Sequence, residues 1–405
     1  MTAAATATTP THQLIQMPGV QTRLNTEEEQ ALLRVLREAN GLATGPQAEG
    51  FEKEFTAFIG CADAAALSSC SAALELAAIF SELKPGDEVI MPAHTFVASA
   101  VPFGRTGATL RWADIDRDTR VVSAATIKPL ITKRTRAVVV VHLYGLAADM
   151  DPIMALAERH NLLVIEDCAQ SPGARYKSRR VGSIGHFGCF SFHSHKNMTT
   201  LGEGGMLTVR DKAHGRAARR MRWMGYWPFE YERKQYWKPA MSDVVEPIPG
   251  RWPVNYCMGE PNAAVGRLLL RRLDAINAQR RAQAARFREA LADYPELSFQ
   301  TESPDCEHVY HLLAARYDGA PYGKTRDDLM GLLFDTYKLK CIVQYPPLQR
   351  MELFRKFGFA DADVPESDRF FDNMVSFPWW SNMGDEVIDD ITARVRSALD
   401  DLRGG

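Results

Sequence analysis

Apolar residues along this chain follow two different periods in turn. Between residues 25 and 265, short runs rich in valine, isoleucine and alanine alternate with longer segments in which apolar residues recur at helical spacing. The predicted strands are Ala64–Leu67, Glu88–Met91, Thr109–Ala113, Ala137–His142 and Leu162–Glu166. The predicted helices are Glu27–Glu38, Ala72–Leu83 and Pro152–His160. Apolar strands separated by helices are typical of a parallel sheet covered on both faces, so the pattern predicts an α/β domain.

Capping and turn residues mark the ends of these helices. Asn25 and Thr26 are placed to cap the first helix, and the turn Lys84-Pro85-Gly86-Asp87 follows the second. Asp151 is the predicted cap of the third helix, with Pro152 at its first position.

The alternation stops near residue 225. Residues 225–253 hold many aromatic residues and prolines, which predicts a loop excursion. A long helix follows over Asn262–Leu291, and the remainder mixes short strands and helices up to the amphipathic segment Val387–Leu402. We therefore predict three parts: a flexible tail over residues 1–24, a large domain over 25–265 and a smaller C-terminal α+β domain over 266–405.

Composition narrows the classes of function. The chain has 405 residues, 46% hydrophobic and 24% charged, with a net charge of −2, so a folded core is expected and nonspecific nucleic-acid binding is disfavoured. No apolar run approaches the roughly 18–20 residues of a membrane span, and Met1–Pro10 lacks the features of a secretory signal. Seven scattered cysteines without a Cys-x-x-Cys pair favour reduced thiols in the cytoplasm over disulfides or a zinc site.

Lys196 carries the clearest chemical signal. It lies between an apolar strand-like run and the glycine-rich turn Gly202-Glu203-Gly204-Gly205, where a lysine can form an imine with a carbonyl cofactor. Asp167 ends an earlier predicted strand. A lysine for the aldehyde and an acid for the ring nitrogen are the two groups that a pyridoxal phosphate (PLP) enzyme needs.

Other strand ends carry suitable chemistry. The turn Ser68–Leu74 opens a helix whose amides and hydroxyls suit a phosphate, although Ser71 could simply be an N-cap. Phe96 follows the next strand and could stack on a flat ring or belong to the core. Asp167 could equally be a helix cap or a structural ion-pair partner, and Lys196 could be solvated. The order of phosphate turn, aromatic, acid and lysine favours the cofactor interpretation.

Several longer motifs occur in a fixed order. They are Val141-His142-Leu143-Tyr144-Gly145, Glu166-Asp167-Cys168-Ala169-Gln170, the run from Gly185 to His193, and Lys196-Asn197 before the glycine-rich turn. From about Gly45 to the C-terminus, the chain resembles the PLP-dependent sugar aminotransferases of the DegT or StrS family. The resemblance implies the aspartate aminotransferase fold (fold type I): a large domain with a mostly parallel seven-stranded sheet flanked by helices, and a smaller α+β domain.

The resemblance also implies roles for eight residues. Lys196 binds the cofactor aldehyde as an internal aldimine, Asp167 pairs with the pyridinium nitrogen, and Gln170 lies near the ring hydroxyl. The remaining assignments are Ser71, the amide of Ala72 and Ser191 to the phosphate, Phe96 to stacking on the ring, and Asn255 to the phosphate of the neighbouring subunit. A homodimer with shared active sites is therefore implied.

The implied reaction moves an amino group from an amino acid to a keto sugar. The expected donor is L-glutamate, and the expected acceptor is linked to a nucleotide. It is a ping-pong reaction through aldimines, with Lys196 carrying a proton as base and then acid. The sugar, the carbon aminated, the stereochemistry of the amine and the choice between glutamate and glutamine stay open.

The chain departs from the family pattern at several positions. Leu201 lengthens the loop after the lysine, and the substituted positions are His186, Ser171, Cys257, Gln344 and Gln349. With the aromatic excursion, these departures favour an unusual acceptor pocket, or they reflect loop drift.

Alternative functions stay open for this chain. Some relatives in the family act on cyclitol ketones or make aminated aromatic acids, and this chain could do either. Sugar dehydratases of the family carry histidine at the position of Lys196, so the lysine argues against that activity. A cysteine desulfurase using Cys306 and a non-catalytic PLP-binding regulator are less favoured. His193 and His195 could form a metal pair, but no third ligand is apparent nearby, so no metal is predicted.

Overall fold

The large sheet forms as the apolar runs predict. The computed structural model describes residues 12–226 and 244–404. Its strands are β1 Asp63–Leu67, β2 Glu88–Pro92, β3 Thr109–Ala113, β4 Thr135–Val141, β5 Leu163–Asp167, β6 Arg175–Tyr176, β7 Arg179–Arg180, β8 Phe187–Ser191, β9 Gly205–Val209, β10 Leu297–Phe299, β11 Cys306–Glu307, β12 Leu313–Tyr317 and β13 Met374–Phe377. The seven-stranded sheet has the order β1-β9-β8-β5-β4-β2-β3. Only β9 runs against its neighbours, which confirms the predicted mostly parallel sheet.

Helices cover this sheet and build the C-terminal part. They are α1 Thr26–Glu38, α2 Pro46–Ile59, α3 Cys70–Phe80, α4 Val101–Arg105, α5 Ala124–Ile127, α6 Met150–His160, α7 Lys212–Met221, α8 Glu260–Ala290, α9 Arg326–Asp335, α10 Glu352–Lys356, α11 Pro365–Asn373 and α12 Asp385–Gly404. β10, β12 and β13 form a smaller antiparallel sheet, and β11 joins β6 and β7 in another.

Three of the predicted helix starts need correction, and one of them is that of α8, which begins at Glu260 instead of Asn262. Asn25 caps α1 as expected, because its side chain accepts from the amide of Glu28. Helix α6 begins at Met150 after Asp149, and Asp151 lies in its first turn, where it pairs with Lys177 instead of capping. Helix α3 begins at Cys70 and is capped by Ser69, so its start was placed two residues too late.

The core consists of two clusters that share one helix. The first surrounds the large sheet, and aromatic rings such as those of Phe55, Phe190 and Phe192 pack together there. The second lies around β12, β13 and α12. Helix α8 contributes buried residues to both clusters. The domain boundary predicted at 265/266 falls within this continuous helix and stays a prediction.

The N-terminal segment is more ordered than a tail. Residues 12–24, called here the N-terminal strap, form backbone hydrogen bonds to distant parts of the chain at Ile15 and Gln21. Ile15 bridges to Leu339, and Gln21 bonds through its backbone to Ser194 and Ser381. The strap therefore differs from the predicted flexible tail. Residues 1–11 of that tail, and 227–243 of the predicted aromatic excursion, lie outside the described residues.

Two whole-chain expectations can be compared with the structure. Within residues 12–226 and 244–404, no helix has both the length and the apolar character needed to cross a membrane. All seven cysteines lie in these ranges and are free thiols. The cytoplasmic location stays a prediction.

Candidate active site

A cavity of about 460 Å³ lies at the carboxyl ends of the parallel strands. In open α/β sheets this edge collects ligands, because the strand-to-helix loops meet there. Of the eight residues predicted for the site, six line this cavity: Ser71, Phe96, Asp167, Gln170, Ser191 and Lys196. Ala72 lies next to it in α3, and Asn255 is exposed and outside it.

The loop after β8 holds Lys196 in the cavity. Backbone hydrogen bonds from Phe192 to Gly204 and from Ser194 to Gly202 close this loop back on itself. Gly205 permits the closure, since a Cβ there would lie 2.3 Å from the carbonyl carbon of Ser69. Burial lowers the pKa of Lys196, although Cys70 and Asp167 act against this shift. The lysine is thus biased toward the neutral amine that attacks carbonyl groups.

Asp167 lies at the end of β5, buried beneath the cavity. Ser99 Oγ donates to its Oδ2 at 2.7 Å, and the Ala169 amide donates to its Oδ1 at 3.0 Å. Thr95 Oγ1 lies 2.9 Å from Ser99 Oγ and extends this contact. Burial raises the pKa of Asp167, although these donors and Lys196 oppose it. Among the described residues, no basic side chain lies within 4.0 Å of this carboxylate.

Gln170 and two aromatic rings line the cavity next to Asp167. The Gln170 side chain accepts from the Tyr144 amide at 2.6 Å and donates to the Tyr345 hydroxyl at 3.1 Å. The rings of Tyr345 and Phe96 are 5.5 Å apart at 59°. Phe96 is 52% exposed, so it is not the core phenylalanine that one interpretation allowed.

Serine side chains gather at the start of α3. Ser69 Oγ accepts from the Ala72 amide at 3.1 Å, so Ser69 is the N-cap and Ser71 is left exposed at the cavity. The Ala72 amide predicted for the phosphate is therefore bound to Ser69 in this structure. Ser191 is buried at the end of β8, and its Oγ accepts from the His193 amide.

Sequence reasoning missed several residues of the cavity. Ser99 and Tyr345 had weak signals: Ser99 lies in the same loop as Phe96, and Tyr345 lies between two of the noted substitutions. Met17, Gln21 and His311 had none, because they come from segments far from any strand end of the large sheet.

Only some of the departures from the family pattern lie at this cavity. Gln344 lines it, whereas His186, Cys257 and Gln349 do not. His186 instead accepts from the Val164 amide through Nδ1 at 3.0 Å, which is a structural contact.

Cys306 is poorly placed for the desulfurase interpretation. It lies in the short strand β11 and outside the cavity lining, with its thiol directed at the Ala147 carbonyl. Burial raises the pKa of this thiol to about 11, which disfavours the nucleophilic thiolate.

One buried group has the composition of a metal site. His142, Glu166 and Cys168 bring their side chains within 4.8 Å of one another. His142 Nε2 lies 3.0 Å from Glu166 Oε2, and its Nδ1 accepts from the Ala148 amide at 3.1 Å. Both ring nitrogens are thus already hydrogen-bonded within the protein, so this group is a structural hydrogen-bond cluster.

Comparison with known proteins identifies the family. The model of the DegT/DnrJ/EryC1/StrS aminotransferase family matches residues 23–396. The chain belongs to this family. It is accordingly a PLP-dependent aminotransferase with the predicted fold, and the loop that holds Lys196 lies within the matched region.

Three relatives of this aminotransferase cover nearly all of it. The spore coat polysaccharide biosynthesis protein SpsC of Bacillus subtilis is 35% identical over 387 residues, covering 92% of this chain and 94% of its own. The dTDP-3-amino-3,4,6-trideoxy-alpha-D-glucose transaminase of Streptomyces venezuelae is 32% identical over 373 residues, 92% of each chain. The crystal structure of an aminotransferase from Psychrobacter cryohalolentis is 29% identical, with a TM-score of 0.86 over 96% of this chain and 100% of its own.

Proposed function

We propose that this aminotransferase moves an amino group from L-glutamate to a nucleotide-linked keto sugar. The observation that carries the proposal is the meeting of Lys196 and Asp167 in one cavity at the carboxyl edge of the sheet. The Streptomyces venezuelae relative is named as a transaminase of a dTDP-linked amino sugar, which supports the choice of acceptor.

The residues of the cavity fit PLP. Asp167 is a buried acid with two hydrogen-bond donors and no basic side chain close by among the described residues, so a protonated ring nitrogen would supply the missing cation. The other assigned contacts are Gln170 to the ring hydroxyl, Phe96 to the ring face, and Ser71 and Ser191 to the phosphate. The Ala72 amide would join them once released from Ser69.

The chain's own groups account for proton transfer and orientation. PLP, when bound, supplies an electron sink for negative charge at the substrate Cα and carries the amino group between the two substrates. Lys196, whose pKa is lowered by burial, would take the proton from that carbon as a base and then, as an acid, donate it to the carbon of the cofactor that carries the amino group. Asp167 would be ionised beside a cationic ring, and Ser99 and the Ala169 amide hold its carboxylate in place.

The functional unit in this proposal is a homodimer. Asn255 is exposed and lies outside the cavity of its own chain, in a segment that bridges to Trp223. This position agrees with a side chain that reaches the phosphate of a neighbouring subunit. Asn255→Ala should weaken PLP binding, and mixing it with Lys196→Ala should restore activity in a fraction of the heterodimers.

Spectroscopy on matched lysine variants tests the function. Wild type reconstituted with PLP should show the visible absorbance band of a lysine-bound cofactor, lose it with L-glutamate while releasing 2-oxoglutarate, and regain it with a dTDP-linked 3-keto sugar. Lys196→Ala should lack the band. Lys177→Ala is the control, because Lys177 pairs with Asp151 away from the cavity.

Three results would contradict the proposal in different ways. A wild-type band in Lys196→Ala would remove the lysine from its role. A band that ignores L-glutamate would point to a PLP-binding regulator. Amination of an inosose without turnover of any keto sugar would favour the cyclitol alternative.

A further inference from the structure

Part of the cavity wall comes from outside the large sheet. Met17 and Gln21 of the N-terminal strap line it, together with His311 and Leu312 just before and at the edge of β12. Both strap residues lie before residue 23, at which the match to the family model begins.

A buried hydrogen-bond network fixes this wall. The guanidinium of Arg280, which is fully buried, donates to the His311 carbonyl at 2.9 Å and to Ser381 Oγ at 3.0 Å. The Ser381 amide donates to the Gln21 carbonyl at 3.1 Å. Thr22 Oγ1 lies 2.9 Å from both Ser381 Oγ and the Asn197 carbonyl, next to Lys196. Ser381 thus contacts the strap directly and is linked to His311 through Arg280, beside the loop of the lysine.

Two polar side chains of this wall each have one atom without a partner among the described residues, although Gln21 Nε2 donates to Met17 Sδ at 2.9 Å. Gln21 is 1% exposed and His311 is 3% exposed. Gln21 Oε1 and His311 Nδ1 have no hydrogen-bond partner among the described residues, and Gln344 Oε1 on the same cavity shares this property. A buried polar atom without a partner is unfavourable, and native proteins seldom keep several in one place unless a ligand or water completes them.

The free atoms favour one kind of ligand group. The two amide oxygens can only accept hydrogen bonds. Burial, together with Lys196, Arg280 and nearby histidines, lowers the pKa of His311 far below its usual value, so its ring is neutral and can accept or donate. A substrate carboxylate offers no hydrogen to such a wall, whereas a sugar hydroxyl can both donate and accept.

We propose that Gln21 and His311 form a subsite that binds ring hydroxyl groups of the acceptor sugar and makes the enzyme select hydroxylated acceptors. The inference rests on the keto-sugar function proposed above. The enclosed Gln21 oxygen reaches a hydroxyl by turning its carboxamide about the last side-chain torsion, which is broad for glutamine.

A pair of acceptors that differ by one hydroxyl tests the subsite. The probes are a dTDP-linked 3-keto-6-deoxyglucose and its 4-deoxy counterpart, each used to regenerate the cofactor after the L-glutamate half-reaction. Gln21→Met keeps the length of the side chain and removes its polar atoms, and Gln16→Met on the exposed side of the strap is the matched control. His311→Phe and His311→Asn test the second residue, since asparagine can place a polar atom near the Nδ1 position.

The expected result is a change in selectivity with an intact donor half-reaction. Wild type and Gln16→Met should prefer the hydroxylated acceptor in kcat/KM, and Gln21→Met and His311→Phe should reduce that preference about tenfold. His311→Asn should recover part of it, and the rate of bleaching by L-glutamate should change less than about twofold.

Each contrary outcome has a distinct meaning. If wild type reacts with L-glutamate but with neither sugar, the keto-sugar function fails and the subsite fails with it. If wild type aminates both sugars and Gln21→Met keeps the wild-type preference, the subsite alone is refuted. If the variants lose the donor half-reaction to the same extent, the residues support Lys196 structurally and bind no acceptor hydroxyl.

Discussion

Two neighbouring carboxylates on β5 differ in their surroundings: Glu166 lies among structural hydrogen-bond donors, and Asp167 lies at the cavity. Successive side chains of a strand point to opposite faces, so Glu166 and Asp167 enter different surroundings. Glu166 accepts from His142 Nε2 and from the amides of Gly182, Ile184 and Gly185. Asp167 has two donors and faces the cavity. Both are buried, and only one has room left for a ligand.

The two acids also differ in the direction of their pKa shifts. Burial alone would raise the pKa of Glu166, but the His142 contact and the backbone amides outweigh it, and the net shift is downward. At Asp167, burial outweighs its donors, and the net shift is upward. Glu166, whose carboxylate is fully hydrogen-bonded, is thus the structural acid. Asp167 has fewer donors, so its carboxylate can still bind a cationic group of a ligand.

Asp167→Asn should produce the largest effect on activity. In the proposed mechanism the Asn side chain lacks the charge that would keep the ring nitrogen protonated, so the L-glutamate half-reaction should slow about 10²–10³-fold. The fold should tolerate the change, because each hydrogen bond of the carboxylate can be replaced. The Asn oxygen can still accept from the Ala169 amide, and the Asn NH₂ group can donate to Ser99 Oγ. The Ser99 hydroxyl can then turn and donate to Thr95 Oγ1. Stopped-flow absorbance and thermal melting measure both effects. A half-reaction at the wild-type rate would remove Asp167 from the mechanism.

Glu166→Gln should lower the stability of the fold and leave the activity nearly unchanged, which is the reverse of Asp167→Asn. Its NH₂ group must face at least one donor, which leaves buried groups unpaired, so the free energy of unfolding should fall by about 3 kcal/mol. Urea denaturation measures the loss. Well below the melting temperature, the half-reaction should stay within a few-fold of wild type. A stable but inactive variant would show that the two acids are not separated in this way.

The stability of the apo-enzyme should depend on pH with opposite signs at the two acids. The pKa of Glu166 is lowered from 4.5, so the stability advantage of wild type over Glu166→Gln should be present at neutral pH and shrink as the pH falls below 4.5. The pKa of Asp167 is raised from 3.8, so ionising it in the folded state is unfavourable. Asp167→Asn should therefore gain stability relative to wild type as the pH rises above 3.8. Urea titrations between about pH 3 and about pH 7 measure both, and trends of the same sign would contradict the assignment.

Ser99→Ala should have the smallest effect. Asp167 would keep the Ala169 amide and lose one neutral donor, so the half-reaction should slow by up to about tenfold. Ser81→Ala is the matched control, because its buried hydroxyl donates to the Ala77 carbonyl in α3, away from the cavity. Equal effects of the two changes would indicate a general loss of stability.

The predictable part of the site follows the strands. Asp167 and Ser191 end apolar runs, and Ser71, Phe96 and Lys196 follow such runs closely, so a parallel sheet brings them to one edge without further information. Local sequence was less exact about helix starts: both Ser69 and Ser71 can cap a helix, and only backbone geometry at Ser69 decides between them.

The part that was missed depends on contacts between distant segments. The backbone of Gln21 is hydrogen-bonded to Ser194 and Ser381, which are 173 and 360 residues away along the chain. No local pattern in this threonine- and glutamine-bearing segment predicts those contacts. Tyr345 reaches Gln170 in the same way. Such pairings follow from how the C-terminal part packs on the sheet, and periodicity carries no information about that packing.

Helix α8 has a consequence for how the molecule comes apart. It has 31 residues, a length of about 45 Å, and supplies Leu269 and Leu273 to the sheet cluster and Ala284 and Phe287 to the other. If either cluster opened alone, part of this helix would expose its apolar face while the rest remained packed. Because α8 packs into both clusters, we expect the two clusters to unfold together, so that the cavity is lost when either of them opens.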